Sequence, residues 1–197
     1  MPAPRPLRAV PPRAPDAVVW RRVADWAETY LTGPHAELGR PGPVCPFVAG
    51  ALARDGLQAA VWPHRPTSAG QVAMIMRAYR DWFLRHGRSS AVPDRHRALC
   101  VLFPAVPRAD VAWAIDGVQR TLKSEFAEQG LMIGEFHDGP PPAPGLWNAG
   151  FRPLHSPVPM LVIRLMVPSD LPFLSGDPRH LAAYRARYGT RSAKAER

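Results

Sequence analysis

Two long stretches of helical periodicity, each followed by short apolar runs, constrain this 197-residue chain more than any motif it carries. After Ser68, the residues Val72, Ile75, Met76, Tyr79 and Phe83 recur at three- and four-residue spacing until Gly87. Ser68 and Gln71 also have the spacing of a capping box, which predicts where that helix begins. From about Arg108 the same pattern returns in Val111, Ile115, Val118, Leu122 and Phe126, and it stops at Gly130. The runs LCVLF (99–103), LMIGEF (131–136) and MLVIRLMV (160–167) are short and apolar, so they read as strands. The second half of Ala51 to Trp62 reads as another. Helices of this length and strands this short fit a sheet with helices packed on it.

Weaker signals add a helix at each end. Asp16 precedes Val19, Val23, Trp26 and Tyr30, and Gly33-Pro34 ends that pattern. Asp177-Pro178 supplies a cap and a first-turn proline for a helix carrying Leu181, Tyr184 and Tyr188. The segment DGPPPAPG (138–145) has too many prolines for helix or interior strand, so the strands on either side pair as neighbours, antiparallel. The resulting expectation is an α+β protein. It has a small mixed or antiparallel sheet of about four strands, covered on one face by the two long helices, with extra N- and C-terminal helices.

Charge places the ends outside this domain. The net charge is +9, yet most of it lies in residues 1–15, with Arg5, Arg8 and Arg13 and no acid, and in 179–197, where six cations face Glu196. The chain between is nearly neutral, so specific nucleic-acid binding is not expected. Residues 1–15 and 189–197 are expected to be disordered tails around one domain, 16–188. No apolar run approaches the roughly 20 residues of a membrane span, and two cysteines are too few for a disulfide framework. Cytoplasmic location is the default, and a homodimer is compatible with the composition.

The polar residues hardest to explain by folding lie in two stretches. Glu135 and His137 share one strand face, where a carboxylate can orient an imidazole or exchange protons with it. A solvent-facing strand end explains them equally well. Arg164 interrupts the most apolar strand, so it needs solvent or a carboxylate. Glu135 and Asp170 are the two candidates, and a substrate carboxylate is the functional alternative. Arg152 and His155 sit in a loop held by Pro153, Pro157 and Pro159, with Asn148 close by as a substrate contact or a plain turn residue. Cys45, followed by Pro46, is either a buried apolar side chain or a thiolate that could ligate haem iron. Cys100 and Met74, Met76, Met132, Met160 and Met166 read as core, and no metal site is expected.

At GRPGPVCPF (39–47), GEFH (134–137) and FRPLHSPVPMLVIRLMVPSDLPFL (151–174) the chain resembles an uncharacterised bacterial domain-of-unknown-function family met near natural-product biosynthetic genes. That resemblance covers about residues 35–175. A second resemblance, through Cys45-Pro46-Phe47 and the following AGALARDG, is to haem-dependent N-hydroxylases of arginine and guanidino amino acids, in which the proline precedes the cysteine. It implies a haem-dependent oxygenase, or N-oxygenase, for a small amino-acid-like substrate. Cys45, His137 or His155 would be the axial ligand, with Arg152 or Arg164 on a propionate or substrate carboxylate and Asn148 and Asp170 nearby. Two other readings stay open: a cofactor-free or metal-assisted enzyme using Glu135 and His137 as acid and base, and a binding module without catalysis.

Overall fold

The computed structural model describes residues 1–9, 15–87, 91–142, 148 and 150–189. The sheet has five strands: β1 (Arg5–Pro6), β2 (Leu57–Val61), β3 (Ala98–Leu102), β4 (Leu131–Phe136) and β5 (Met160–Leu165), in the spatial order β1-β2-β3-β5-β4. Only β2 and β3 run parallel; β1–β2, β3–β5 and β4–β5 are antiparallel. The helices are α1 (Ala17–Trp26), α2 (Val48–Ala53), α3 (Ala69–Gly87), α4 (Val118–Glu128), α5 (Leu171–Leu174) and α6 (Pro178–Tyr188). The fold is α+β with an open, mixed sheet.

Strand parity divides the core in two. Leu99, Val101, Leu131, Ile133, Leu161 and Ile163 point to the side covered by α3 and α4, which present the expected Val72, Met76, Tyr79, Val118, Leu122 and Phe126. Cys100, Leu102 and Met160 point to the other side, against Trp20, Val23, Val48 and Leu52 of α1 and α2. Helices therefore cover both faces rather than one. The sequence pattern missed this because α2 is only six residues long, too short to show a helical period. Across the first face, Arg77 and Arg80 both bind Glu125 and tie α3 to α4.

The fifth strand comes from the segment expected to be a disordered tail. Arg5 and Pro6 pair with Ala59 and Gln58, and the Leu7 amide donates to Leu57 O at 2.8 Å. Leu7 is 1% exposed, worth about 2 kcal/mol of apolar burial. Tyr79 donates its hydroxyl to Pro2 O (2.9 Å), and Trp20 Nε1 donates to Leu7 O (2.6 Å). Proline excludes helix here but permits an edge strand, and buried aromatic donors recruit the free carbonyls. Of the expected C-terminal tail, residues 190–197 lie outside the described residues. Met74 is another correction: it is 64% exposed on α3, while Met76, Met160 and Met166 are core.

The caps behave as the sequence suggests, with one variation. Ser68 Oγ accepts from the Gln71 amide, but Gln71 Oε1 takes the Thr67 amide rather than that of Ser68. Asp177 accepts from the amides of Arg179 and His180 and starts α6. Gly130 ends α4 at φ +72°, a conformation that glycine adopts without strain.

Candidate active site

Two helices widen into π turns, and both turns carry polar residues. One is Ala27–Leu31, which prolongs α1, and the other is Ala112–Gly117, which leads into α4. Such turns insert one residue into the helical register and are frequent at functional sites. In the second, a side-chain carbon on Gly117 would lie 3.2 Å from Ala112 O, so glycine relieves crowding in the wide turn. The turn also swings Asp116 over the end of β4.

There Asp116 Oδ1 meets His137 Nε2 at 2.9 Å. His137 is only 5% exposed and Asp116 is half-buried. Among the described residues nothing bonds the other ring nitrogen, Nδ1. Glu135 lies two residues before His137 on the same face. Burial pushes its carboxyl above the usual glutamate value of 4.5, and the charge of Asp116 pushes it further. Its own backbone amide, Lys123 and His137 pull the other way without reversing the shift. Lys123, about two turns beyond Asp116, donates to Phe173 O at 3.0 Å while staying in electrostatic reach of Glu135. The result is a strip between α4 and the edge strand: a carboxyl whose pKa burial raises, a carboxylate-bound imidazole, and an ammonium.

Arg164 is not part of this strip. It is opposite Met132 and Ala98 in the sheet, whereas Glu135 is opposite Leu161, so Arg164 and Glu135 occupy different faces. Its partner is Asp170, with a bidentate contact at 2.7 and 2.6 Å. Asp170 also accepts the Val167 amide at 2.8 Å and is 2% exposed. Burial opposes the charge on Arg164, but Asp170 outweighs it and holds the guanidinium above its ordinary range. Cys45 shares this face and lies in electrostatic reach of Arg164. It is half-buried, with its amide on Leu31 O. Cys100 is fully inside, its thiol pushed up to about 12 by burial.

The remaining expected residues gather over the first π turn. His155 Nε2 pairs with Asp138 at 3.2 Å, both exposed, and the ring meets Tyr30 edge-on at 6.5 Å. Tyr30 donates its hydroxyl to Arg152 O (3.3 Å), and Asn148 holds Glu37 O and the Gly150 amide. A backbone bridge joins His137 to His155, but their rings diverge to Asp116 and Asp138. Asn148 thus acts as a turn and tether residue.

Haem requires an apolar slot with an iron ligand aimed into it. Both histidines have Nε2 on a carboxylate, and they do not face a common slot. A recess of about 60 Å³ among Asp55, Gln58, Trp82, Phe83 and Arg97 is far below the roughly 300 Å³ of a small ligand pocket. A wider, open hollow is bounded by Arg65, Pro66, Thr67, Asp110 and Trp113. Neither is lined by Cys45, His137 or His155. Among the described residues no group of three or more His, Cys, Asp or Glu is placed to hold a metal ion. Among the described residues no helix is long and apolar enough to cross a membrane.

The sequence reading missed Asp116 and Lys123. A glycine within a helical pattern, Gly117, was the available signal that something interrupts the helix beside Asp116.

An open five-stranded sheet with helices on both faces and a polar strip at its edge defines an α+β domain with a candidate acid–base site. The chain belongs to the family described as "Domain of unknown function (DUF6875)", whose model matches residues 20–197. The match reaches beyond the stretch of about 35–175 in which the sequence resemblance was seen. No curated protein and no solved structure matches the chain.

Proposed function

We propose that this protein is an enzyme that transfers protons on a small anionic substrate, with the strip at Asp116, Lys123, Glu135 and His137 as its active site. The contact of Asp116 with His137 at 2.9 Å beside Glu135 carries the reading. Two titratable groups whose surroundings differ this much can divide acid and base roles. Glu135, whose carboxyl pKa burial raises, is the proton donor. His137 accepts at Nδ1, while Asp116 fixes the ring and stabilises the imidazolium that forms. Lys123 offers its charge to the substrate anion, the role expected above of Arg152 or Arg164.

The test follows the ¹³C carboxyl resonance of Glu135 through a pH titration, in the wild type and in Asp116→Asn, with a panel of small carboxylates added at neutral pH. A Glu135 midpoint above 4.5 that falls in the variant is expected, with saturable shifts centred on Lys123 and Glu135. A midpoint at or below 4.5 sinks the proposal. Adding hemin tests the rival: a stoichiometric Soret band that Cys45→Ala, His137→Ala or His155→Ala removes would establish the haem oxygenase instead.

A further inference from the structure

Behind the strip, where α4 meets α6, a second pair of reactive side chains is in contact. Ser124 Oγ lies 2.9 Å from His180 Nε2. The serine is half-buried and the histidine is 8% exposed. Among the described residues neither atom has another hydrogen-bond partner. Helical serines commonly turn their hydroxyl back to the preceding carbonyl, as Thr121 does to Gly117 O at 2.8 Å. Ser124 gives its hydrogen bond to the imidazole instead.

We infer that Ser124 and His180 form a nucleophile–base pair for acyl transfer from an activated ester, independently of the Glu135 site. A base within hydrogen-bond reach of a hydroxyl is the geometry that activates serine. Asp177 caps the helix that carries His180, and its carboxylate is in electrostatic reach of the ring. A plain staple between two helices would be served as well by two apolar side chains.

The step closes without a cofactor. Ser124 Oγ bonds to the ester carbonyl carbon as its proton passes to His180 Nε2. The bond from carbon to the alcohol oxygen then breaks, and that oxygen leaves with the proton, so the acyl group rests on Ser124. Water, deprotonated by His180, attacks the acyl-serine, releases the acid and returns the proton to Oγ. His180 must be neutral to begin. Burial lowers its pKa below 6.5, with Lys123 and Arg179 adding to the shift and Asp177 and Glu128 opposing it.

The full chain is incubated with a fluorophosphonate and, separately, with p-nitrophenyl acetate, and adducts are located by peptide mass spectrometry. A single adduct on Ser124 is expected, absent in Ser124→Ala and formed at least about 100-fold more slowly in His180→Asn. Circular dichroism melts verify that both variants fold. In the wild type, which needs no variant, the labelling rate should rise with pH to a plateau through one step below 6.5. No adduct, an adduct elsewhere, an unchanged rate in His180→Asn or a flat pH profile would overturn the inference.

Discussion

Two carboxylates at opposite faces of the sheet hold a positively charged or chargeable partner, and they do so differently. Asp170 uses both oxygens: two bonds to Arg164 and one to the Val167 amide. It clasps β5 to the turn that follows, and the guanidinium fork is fully engaged on that side. Asp116 makes one bond, to His137, and leaves the ring's second nitrogen without a partner among the described residues. Full pairing removes the cost of buried charge and fixes a shape. Partial pairing leaves capacity for a substrate. Arg164, which stands out more in the sequence, is thus the more fully paired of the two, and His137 the one that the proposed function uses.

The largest expected effect breaks the clasp. Asp170→Ala removes three hydrogen bonds and leaves Arg164 facing an apolar strand, so urea denaturation should show a loss of about 3 kcal/mol. A loss under about 1 kcal/mol would mean that Arg164 finds water instead and that the two pairs are alike. Asp116→Asn should cost less than about 1 kcal/mol, because the amide can still bond the ring and nothing is left stranded. A cost as large as that of Asp170→Ala would make Asp116 a structural residue and remove the contrast.

The smallest effect concerns pH. A carboxyl whose folded pKa lies above its unfolded value binds protons more tightly when folded. The stability contributed by Glu135 is therefore fully present below about 4.5 and is lost as pH rises through its higher folded value. Glu135→Gln should flatten that slope and raise stability at neutral pH by less than about 1 kcal/mol. Denaturation at a series of pH values checks it, and a variant less stable than the wild type at pH 7 would contradict the assignment. His180 works in the opposite sense. Its folded pKa is depressed, so its contribution is present above 6.5 and is lost as pH falls through the folded value.

Much of the scaffold was legible in the sequence because periodicity survives wherever an element buries one face. Phe126 was placed by spacing alone. The strand LMIGEF coincides with β4, and the antiparallel pairing of β4 with β5 followed from the proline-rich connection. Leu7 was not legible: a two-residue strand has no period, and its stability comes from Tyr79 and Trp20, distant in sequence. For the site, strand parity correctly joined Glu135 to His137. It also separates Glu135 from Arg164, but only once the register of β4 against β5 is known. Asp116 and Lys123 reach the site through α4, and nothing local marks a helical carboxylate or amine that will face a strand edge. Ser124 and His180 meet across 56 residues, a contact that no spacing rule anticipates.

The two borders of the sheet have one more consequence. On the β4 side, Gln119 Nε2 donates to Ile133 O at 3.0 Å, and the carboxyl of Glu135 accepts from its own amide. On the other side the border is two residues long and includes a proline, which has no amide hydrogen to offer. Part of each border is thus occupied, which works against strand-by-strand addition of a neighbouring molecule there. The side chain of Glu135 thereby serves both the edge of the sheet and the proposed acid–base strip.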